Sequence, residues 1–400
     1  MTKRGRLALT LGVAAYLLAW AAGSKALYPV AVGLILATLL AWAWMRAARR
    51  PVRLLRHTDR FEHYEGEDVH VSVEVELAPG FLPPGPVILQ ERLSKLGDRE
   101  TRLRRRGSAL RAHYVLTGVP RGRYVLEHAR AVLEDPFGLE RVEAQLPATA
   151  ALLVYPRLVP LDRLFSDVGA TLPEGRRLLM RRPSGFDLHS VREYQEGESL
   201  RRVHWRSTAK RGRLMVKELE DAPRDEVAVL LDAQAGTAAG ASFDMLVRAA
   251  GSILFGHTSR NRRAVLLVNG ASADFVRASA SDGDWRRALE LLAAAEPDGR
   301  RPVEALLSDE ADLVARALEV AVVTAALTPR LADRLVQRSL AHRHVSLVYV
   351  DAASFNGAAR TREPALLRLQ AAGVPVAVVR AGDDLSAALT GGALSEAAGG

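Results

Sequence analysis

The stretch Glu226–Ala233, EVAVLLDA, decides how the second half of this 400-residue chain is read. Val227 to Leu231 are all apolar and leave no polar face for water. A strand with one wet face alternates apolar and polar residues, so an unbroken Val/Leu run marks a strand covered on both sides. Four more such runs follow: RRAVLLVNG, LEVAVVTAAL, HVSLVYVDA and VPVAVVRAG. Between them lie the amphipathic stretches FDMLVRAAGSILFGHTSR, DWRRALELLAAAE, TPRLADRLVQRSLAHR and EPALLRLQAAG. Strands alternating with helices imply a doubly wound α/β sheet over residues 223–385. Ligands of such sheets gather at the carboxyl ends of the strands, which here carry Asp232, Asn269, Thr324 and Asp351. The Ala/Gly-rich tail, residues 386–400, is expected to fray.

Residues 58–155 have a different texture. DVHVSVEVEL (Asp68–Leu77) alternates apolar and polar positions, the period of a half-buried strand. Turn residues follow at APGFLPPGP, and further strands are expected near VILQERL, AHYVLTG, GRYVLEHARAVL and LERVEAQL. Short strands with Gly/Pro punctuation predict a small β-sandwich. The run RETRLRRR (Arg99–Arg106) reads as a solvated hairpin loop, with anionic lipid headgroups as the rival partner.

The charge lies at the N-terminus. Residues 1–60 hold ten Lys or Arg against Asp59 alone, and the remaining 45 basic and 45 acidic residues cancel. The net charge of +9 is therefore no argument for a nucleic-acid partner. Two uncharged runs explain the basic flanks: residues 7–24 and residues 26–45, each near the ~20 residues that cross a bilayer. Lys3, Arg4 and Arg6 precede the first, and Arg46, Arg49, Arg50, Arg53 and Arg56 follow the second. This pattern predicts a two-span hairpin with residues 1–6 and the whole body in the cytoplasm. A cleaved signal peptide over residues 1–24 is the rival, and it also leaves the body inside.

Residues 176–222 form a basic segment, with REYQEGESLRRVHWRSTAKRGRL (Arg192–Leu214) at its centre. Glu196-Gly197-Glu198 reads as a turn, Ser199 as a helix N-cap, Gly212 as the helix stop, and LMVKELE as a strand. The scaffold reading packs Trp205 into the core and pairs Arg192, Arg201, Arg202 and Arg206 with Asp187, Glu193, Glu196 and Glu198. The docking reading aims Arg192, Tyr194, Gly197, Arg201, His204, Trp205, Lys210, Arg211 and Arg213 at an acidic partner. The two readings are compatible. A catalytic reading would make His204 a base, but no nucleophile or oxyanion site accompanies it.

The order of these parts, the segment RRPSGFDLHSVREYQEGESLRRVHWRSTAKRGRLMVKELED, and the upstream EDPFGLE (Glu134–Glu140) and LLVYPRLVPL (Leu152–Leu161) carry a resemblance. The chain resembles the bacterial "domain of unknown function 58" family. The resemblance implies a von Willebrand A-like domain and a membrane-associated partner of MoxR-type AAA+ ATPases. One implied feature is missing. A von Willebrand A metal site needs Asp-x-Ser-x-Ser because hard divalent cations take several converging oxygens. Here Asp232 is followed by Gln234 and Gly236, so Asp232, Thr324 and Asp351 are weak metal candidates and no divalent ion is expected.

Enzymatic signatures are absent from the sequence. There is no Cys, no P-loop, no G-x-G-x-x-G, no H-E-x-x-H and no G-x-S-x-G. The sequence thus predicts a membrane-anchored adaptor rather than an enzyme, with no cofactor, and the family resemblance implies a MoxR-like ATPase as its partner in envelope protein assembly or maturation. The alternative is a metal-dependent hydrolase at the carboxyl edge of the sheet. Client and oligomeric state are not written in the sequence.

Overall fold

The computed structural model describes residues 1–47, 52–60, 62–77, 86–106, 109–146, 151–161, 163–164, 188–194, 203–219, 227–309, 314, 317, 319–341, 343–358 and 363–391. The chain divides into two compact units, Met1–Arg157 and Leu158–Gly400.

The first unit opens with two helices, α1 (Lys3–Ala21) and α2 (Leu27–Ala47), joined by a short turn. Thr2 caps α1, its Oγ1 accepting from the Gly5 amide at 3.0 Å. Small residues let the helices meet closely: a Cβ added to Gly12 would lie 2.9 Å from Ile35 Cγ1. Leu7, Leu11, Leu17, Leu18 and Trp20 of α1 and Leu36, Leu39, Leu40 and Trp42 of α2 point outward. By length and composition α2 passes as a membrane span, with a mean hydropathy of 1.8.

Nine strands complete this unit: β1 (Val52–Thr58), β2 (His63–Tyr64), β3 (Val69–Leu77), β4 (Val87–Leu93), β5 (Gly97–Arg106), β6 (Ala109–Leu116), β7 (Gly122–Glu134), β8 (Arg141–Leu146) and β9 (Ala151–Tyr155). They join in the order β1-β3-β6-β5-β4-β7-β9-β2, with β8 beside β7. Val69, Val71, Val73 and Val75 alternate into a core shared with Leu89, Leu116, Leu126 and Leu133. The Arg99–Arg106 run, expected as a loop, lies inside β5. The residue type misled, because β5 buries only Leu103, leaves Glu100, Arg102, Arg104, Arg105 and Arg106 exposed, and holds Arg99 half-buried, donating to the Val115 carbonyl at 3.4 Å. Residues 97–103 pair with β4 and 104–106 with β6, so β5 links the two halves of the sheet.

The second unit contains the two-stranded ladder of β10 (Leu188–Glu193) and β11 (Met215–Leu219), and a six-stranded sheet. The six are β12 (Val227–Leu231), β13 (Ala264–Asn269), β14 (Ala273–Ala278), β15 (Glu319–Thr324), β16 (His344–Val350) and β17 (Val376–Val379), in the order β14-β13-β12-β15-β16-β17. All pair in parallel except β14, which turns back on β13. The apolar runs are explained by the two faces. Val227, Val229 and Leu231 enter one core with the Ala241–Thr258 helix, while Ala228 and Leu230 enter a second with the Pro329–Leu340 helix. Local chemistry sets the helix starts: Thr328 Oγ1 accepts from the Leu331 amide at 3.1 Å and Pro329 opens the first turn. β14 escapes the sequence reading because only Ala278 of ADFVRA is buried, with Val276 half-buried against the core, so it carries little apolar signal. The start of the tail is ordered where fraying was expected: Leu385–Gly391 is helical and Leu389 is fully buried.

Candidate functional site

The sheet reverses its strand order beside β12, where β13 lies on one side and β15 on the other. Crevices at such a switch point bind ligands in doubly wound folds. Three of the four strand-end residues meet there: Asp232, Asn269 and Thr324 are all buried. The Thr324 hydroxyl donates to Asp232 Oδ2 at 2.6 Å. Asp232 Oδ1 accepts from Asn269 Nδ2 and from the Gln234 amide, each at 3.1 Å. Asn269 Nδ2 also donates to the Arg301 carbonyl at 2.8 Å, and Asn269 Oδ1 accepts from the Ala233 amide. Burial pushes the Asp232 carboxyl above its ordinary range; the bonds from Thr324, Gln234 and Asn269 pull it back, and Glu304 pushes it further up.

Backbone closes over this cluster. Gly299 donates to the Ala233 carbonyl and accepts from the Ala235 amide, both at 2.8 Å. A Cβ at Gly299 would lie 1.8 Å from the Asn269 carbonyl oxygen, so only glycine fits. In sequence, Gly299 within EPDGRR carries no mark beyond that of a turn, because its contact is with a strand thirty residues upstream.

Asp351 stands apart. It is buried, its amide donates to the Val379 carbonyl at 2.9 Å, and among the described residues no hydrogen bond joins it to Asp232. It lies instead near Tyr349, whose phenol is pushed up to about 12 by burial, then by Glu363 and Asp351. Among the described residues no three His, Asp or Glu side chains converge as metal ligands. The donor set of a von Willebrand A metal site is not matched: Gln234 and Gly236 offer no hydroxyl, and both Asp232 oxygens already accept from protein donors.

The basic segment builds a second feature. β10 pairs antiparallel with β11, Arg192 opposite Val216 and Glu193 opposite Met215. The Tyr194 amide continues the ladder to the Leu214 carbonyl at 2.9 Å. Val203 then pairs with Val216, and both are buried with Met215. A seven-residue helix, Trp205–Arg211, follows. His204 is its N-cap, with Nδ1 accepting from the Ser207 amide at 3.3 Å and meeting Ser207 Oγ at 2.7 Å. Gly212 ends it at φ +66°, as the sequence indicated. The helix starts later than the expected cap at Ser199, which lies outside the described residues together with Gly197, Arg201, Arg202, Asp187, Glu196 and Glu198.

Trp205 corrects the scaffold expectation. It is 66% exposed, and the helix it opens buries none of its residues. Among the described residues of this segment the buried ones are the extended Val203, Met215 and Val216. A helix of under two turns has no room for an apolar stripe of its own. Lys210, Arg211 and Arg213 are exposed beside Leu214.

A doubly wound α/β domain preceded by a strand–helix–strand segment is the class that this fold defines. Residues 190–354 match the family model described as "Protein of unknown function DUF58". Over this segment the chain is similar to that family. It is similar to "Uncharacterized protein YeaD" of Bacillus subtilis (strain 168), 27% identical over 220 residues, or 54% of this chain and 53% of that protein. The match thus spans about half the relative's length. Among solved structures, the alkylpurine DNA glycosylase AlkC of Pseudomonas fluorescens, bound to DNA containing an abasic site analog, aligns at TM-score 0.16 and 15% identity over 31% of this chain and 39% of its own. Cwp6 from Clostridium difficile aligns at TM-score 0.19 and 9% identity over 74% and 49%. Scores this low carry no argument about fold or function.

Proposed function

We propose that this protein is a membrane-anchored adaptor whose Trp205–Arg211 helix presents a docking surface to an acidic partner, a MoxR-type AAA+ ATPase. The observation that carries the reading is the exposure of Trp205 next to Lys210, Arg211 and Arg213. An exposed Trp on a short segment that also exposes Lys210, Arg211 and Arg213 has the composition of an interface anchor, since Trp and Arg dominate binding hot spots. The class of partner comes from the family resemblance.

The outward leucines of α1 and α2 support a bilayer around both helices, because so large an apolar surface is costly in water. The Arg and Lys flanks at both ends support a cytoplasmic body and a two-span topology. The 3-2-1-4-5-6 strand order with an antiparallel edge supports a von Willebrand A-like domain, and the nine-strand unit a β-sandwich-like one. The protein donors on Asp232, two on Oδ1 and one on Oδ2, support an ion-free strand end with a structural task rather than a metal-dependent hydrolase. The adaptor would act in envelope protein assembly or maturation.

The test is co-purification of the full-length detergent-solubilised protein with a MoxR-type ATPase from the same genome. Trp205→Ala, and separately Lys210→Ser with Arg211→Ser and Arg213→Ser, should weaken capture. The triple variant should also associate more slowly and with less sensitivity to salt. Undiminished capture by both variants refutes the docking surface.

A further inference from the structure

The loop Asp135–Glu140, DPFGLE, joins β7 to β8 and holds Phe137 at 78% exposure, the highest of any large apolar side chain among the described residues. The exposure is built in. Asp135 is buried, and its Oδ1 accepts from the Phe137 amide at 2.8 Å while its Oδ2 accepts from the Glu140 amide. The Gly138 amide bonds back to the Asp135 carbonyl at 3.0 Å, with Gly138 at φ +68°. A loop pinned at this many points cannot fold its aromatic tip back onto the sheet.

The other side of the loop is fastened to the start of α1. The Thr2 amide donates to the Leu139 carbonyl at 3.1 Å and the Thr2 hydroxyl to the Gly138 carbonyl at 2.7 Å. The Met1 ammonium pairs with Glu140 Oε1 at 2.9 Å. Gly5 packs so closely that a Cβ would lie 2.0 Å from the Leu139 oxygen. The end of α2 is fixed to the same unit, since Met45 is buried among the β-strand core residues. From Thr2 to Leu7, where the apolar run begins, the helix rises only about 7–8 Å at 1.5 Å per residue. Lys3, Arg4 and Arg6 fill that interval.

We propose that this loop is a membrane-interface anchor, with the Phe137 ring buried in the headgroup–acyl boundary of the bilayer that α1 and α2 cross. The inference rests on the spanning reading of the hairpin. The occupant is lipid because the loop is tied within one helical turn of the charged start of a span, so the bilayer surface is the phase that reaches it. An aromatic tip beside cationic residues is the composition that interfacial segments use, the ring entering the boundary and the cations facing anionic headgroups. Two fastened helix ends and one inserted ring would fix the tilt of the β-strand unit against the membrane, where two helix ends alone leave a hinge.

The chain has no Cys, so single labels are unambiguous. The full-length protein is reconstituted into vesicles of equal parts phosphatidylcholine and phosphatidylglycerol, and a nitroxide is attached at Phe137→Cys. Leu11→Cys in α1 and Leu367→Cys, 72% exposed in the second unit, serve as depth references. Collisions with oxygen, which partitions into lipid, are compared with collisions with a water-soluble nickel chelate. The label at 137 should meet the chelate several-fold less often than the label at 367, and oxygen more often, at a depth shallower than 11. A water-like label at 137 with a lipid-buried label at 11 overturns the anchor and leaves the span standing. A water-like label at 11 overturns the span and the anchor with it. A label at 137 shielded from both reagents is covered by protein, a second copy of the chain, and also overturns the anchor.

Discussion

Thr324 and Asp232, 92 residues apart in sequence, end the two central strands of the sheet, and the hydroxyl of one donates to the carboxylate of the other at 2.6 Å. The bond spans the point where strand order reverses, so it ties β15 to β12 where a doubly wound sheet is open. It is one of three donors that hold a desolvated carboxylate in place.

Thr324→Val removes that donor and is expected to destabilise the protein by about 1–3 kcal/mol, the cost of leaving a buried acceptor short. Asp232 already has a folded-state pKa above its ordinary 3.8, so between 3.8 and the folded value the folded chain holds more protons than the unfolded one. Stability therefore falls as pH rises through the folded value and levels off above it. Losing the Thr324 donor raises that value further, so the variant's deficit should be larger near neutral pH than near pH 4. Melting of the full-length protein in detergent across this range measures it. A deficit that grows on acidification contradicts the desolvated carboxylate.

Trp205→Ala should leave stability within about 0.5 kcal/mol, the range of surface changes, because the ring is 66% exposed. Met215→Ala, in the buried strand that the segment leads into, should cost about 2–5 kcal/mol. Comparing the two melting curves decides it. A Trp205 variant that melts as low as the Met215 variant places the ring in the core.

Two glycines should respond in opposite directions to alanine. Gly299→Ala forces a methyl to 1.8 Å from the Asn269 carbonyl oxygen and should cost about 1–3 kcal/mol or more, as overpacked sites do. Gly283 lies in the first turn of the Asp282–Ala294 helix with open space around it, and Gly283→Ala should gain up to about 1 kcal/mol. Equal effects from both would show that the backbone over the Asp232 cluster can move aside.

If the basic flanks of the N-terminal helices hold the body inside as proposed, a reporter fused after Gly400 should be active only in its cytoplasmic form. Activity of an externally folding reporter at that position reverses the proposed orientation.

Much of the architecture was legible in the chain itself. The five apolar runs are strands, the four amphipathic stretches are helices, and the alternating Asp68–Leu77 run is β3. Period is a local property, and burial on one face or on two writes it directly into residue order. The strand-end residues were legible as a set, but their division was not. Sequence placed Asp232, Asn269, Thr324 and Asp351 on one edge, and only the packing joins the first three while leaving Asp351 beside Tyr349.

What the sequence by itself determined is the class of each segment: the apolar hairpin with its basic flanks, the alternating strands, the α/β repeat, and the missing hydroxyls at Gln234 and Gly236. What only the tertiary structure decided is where the ambiguous side chains go. Trp205 is apolar and reads as core, yet the buried residues described in this segment are Val203, Met215 and Val216, and the ring is left in solvent. Arg99–Arg106 is charged and reads as loop, yet β4 and β6 offer it backbone partners and it becomes a strand. In both places the deciding interaction is a pairing with a neighbouring strand, and a residue's own chemistry does not encode which neighbours the fold will supply.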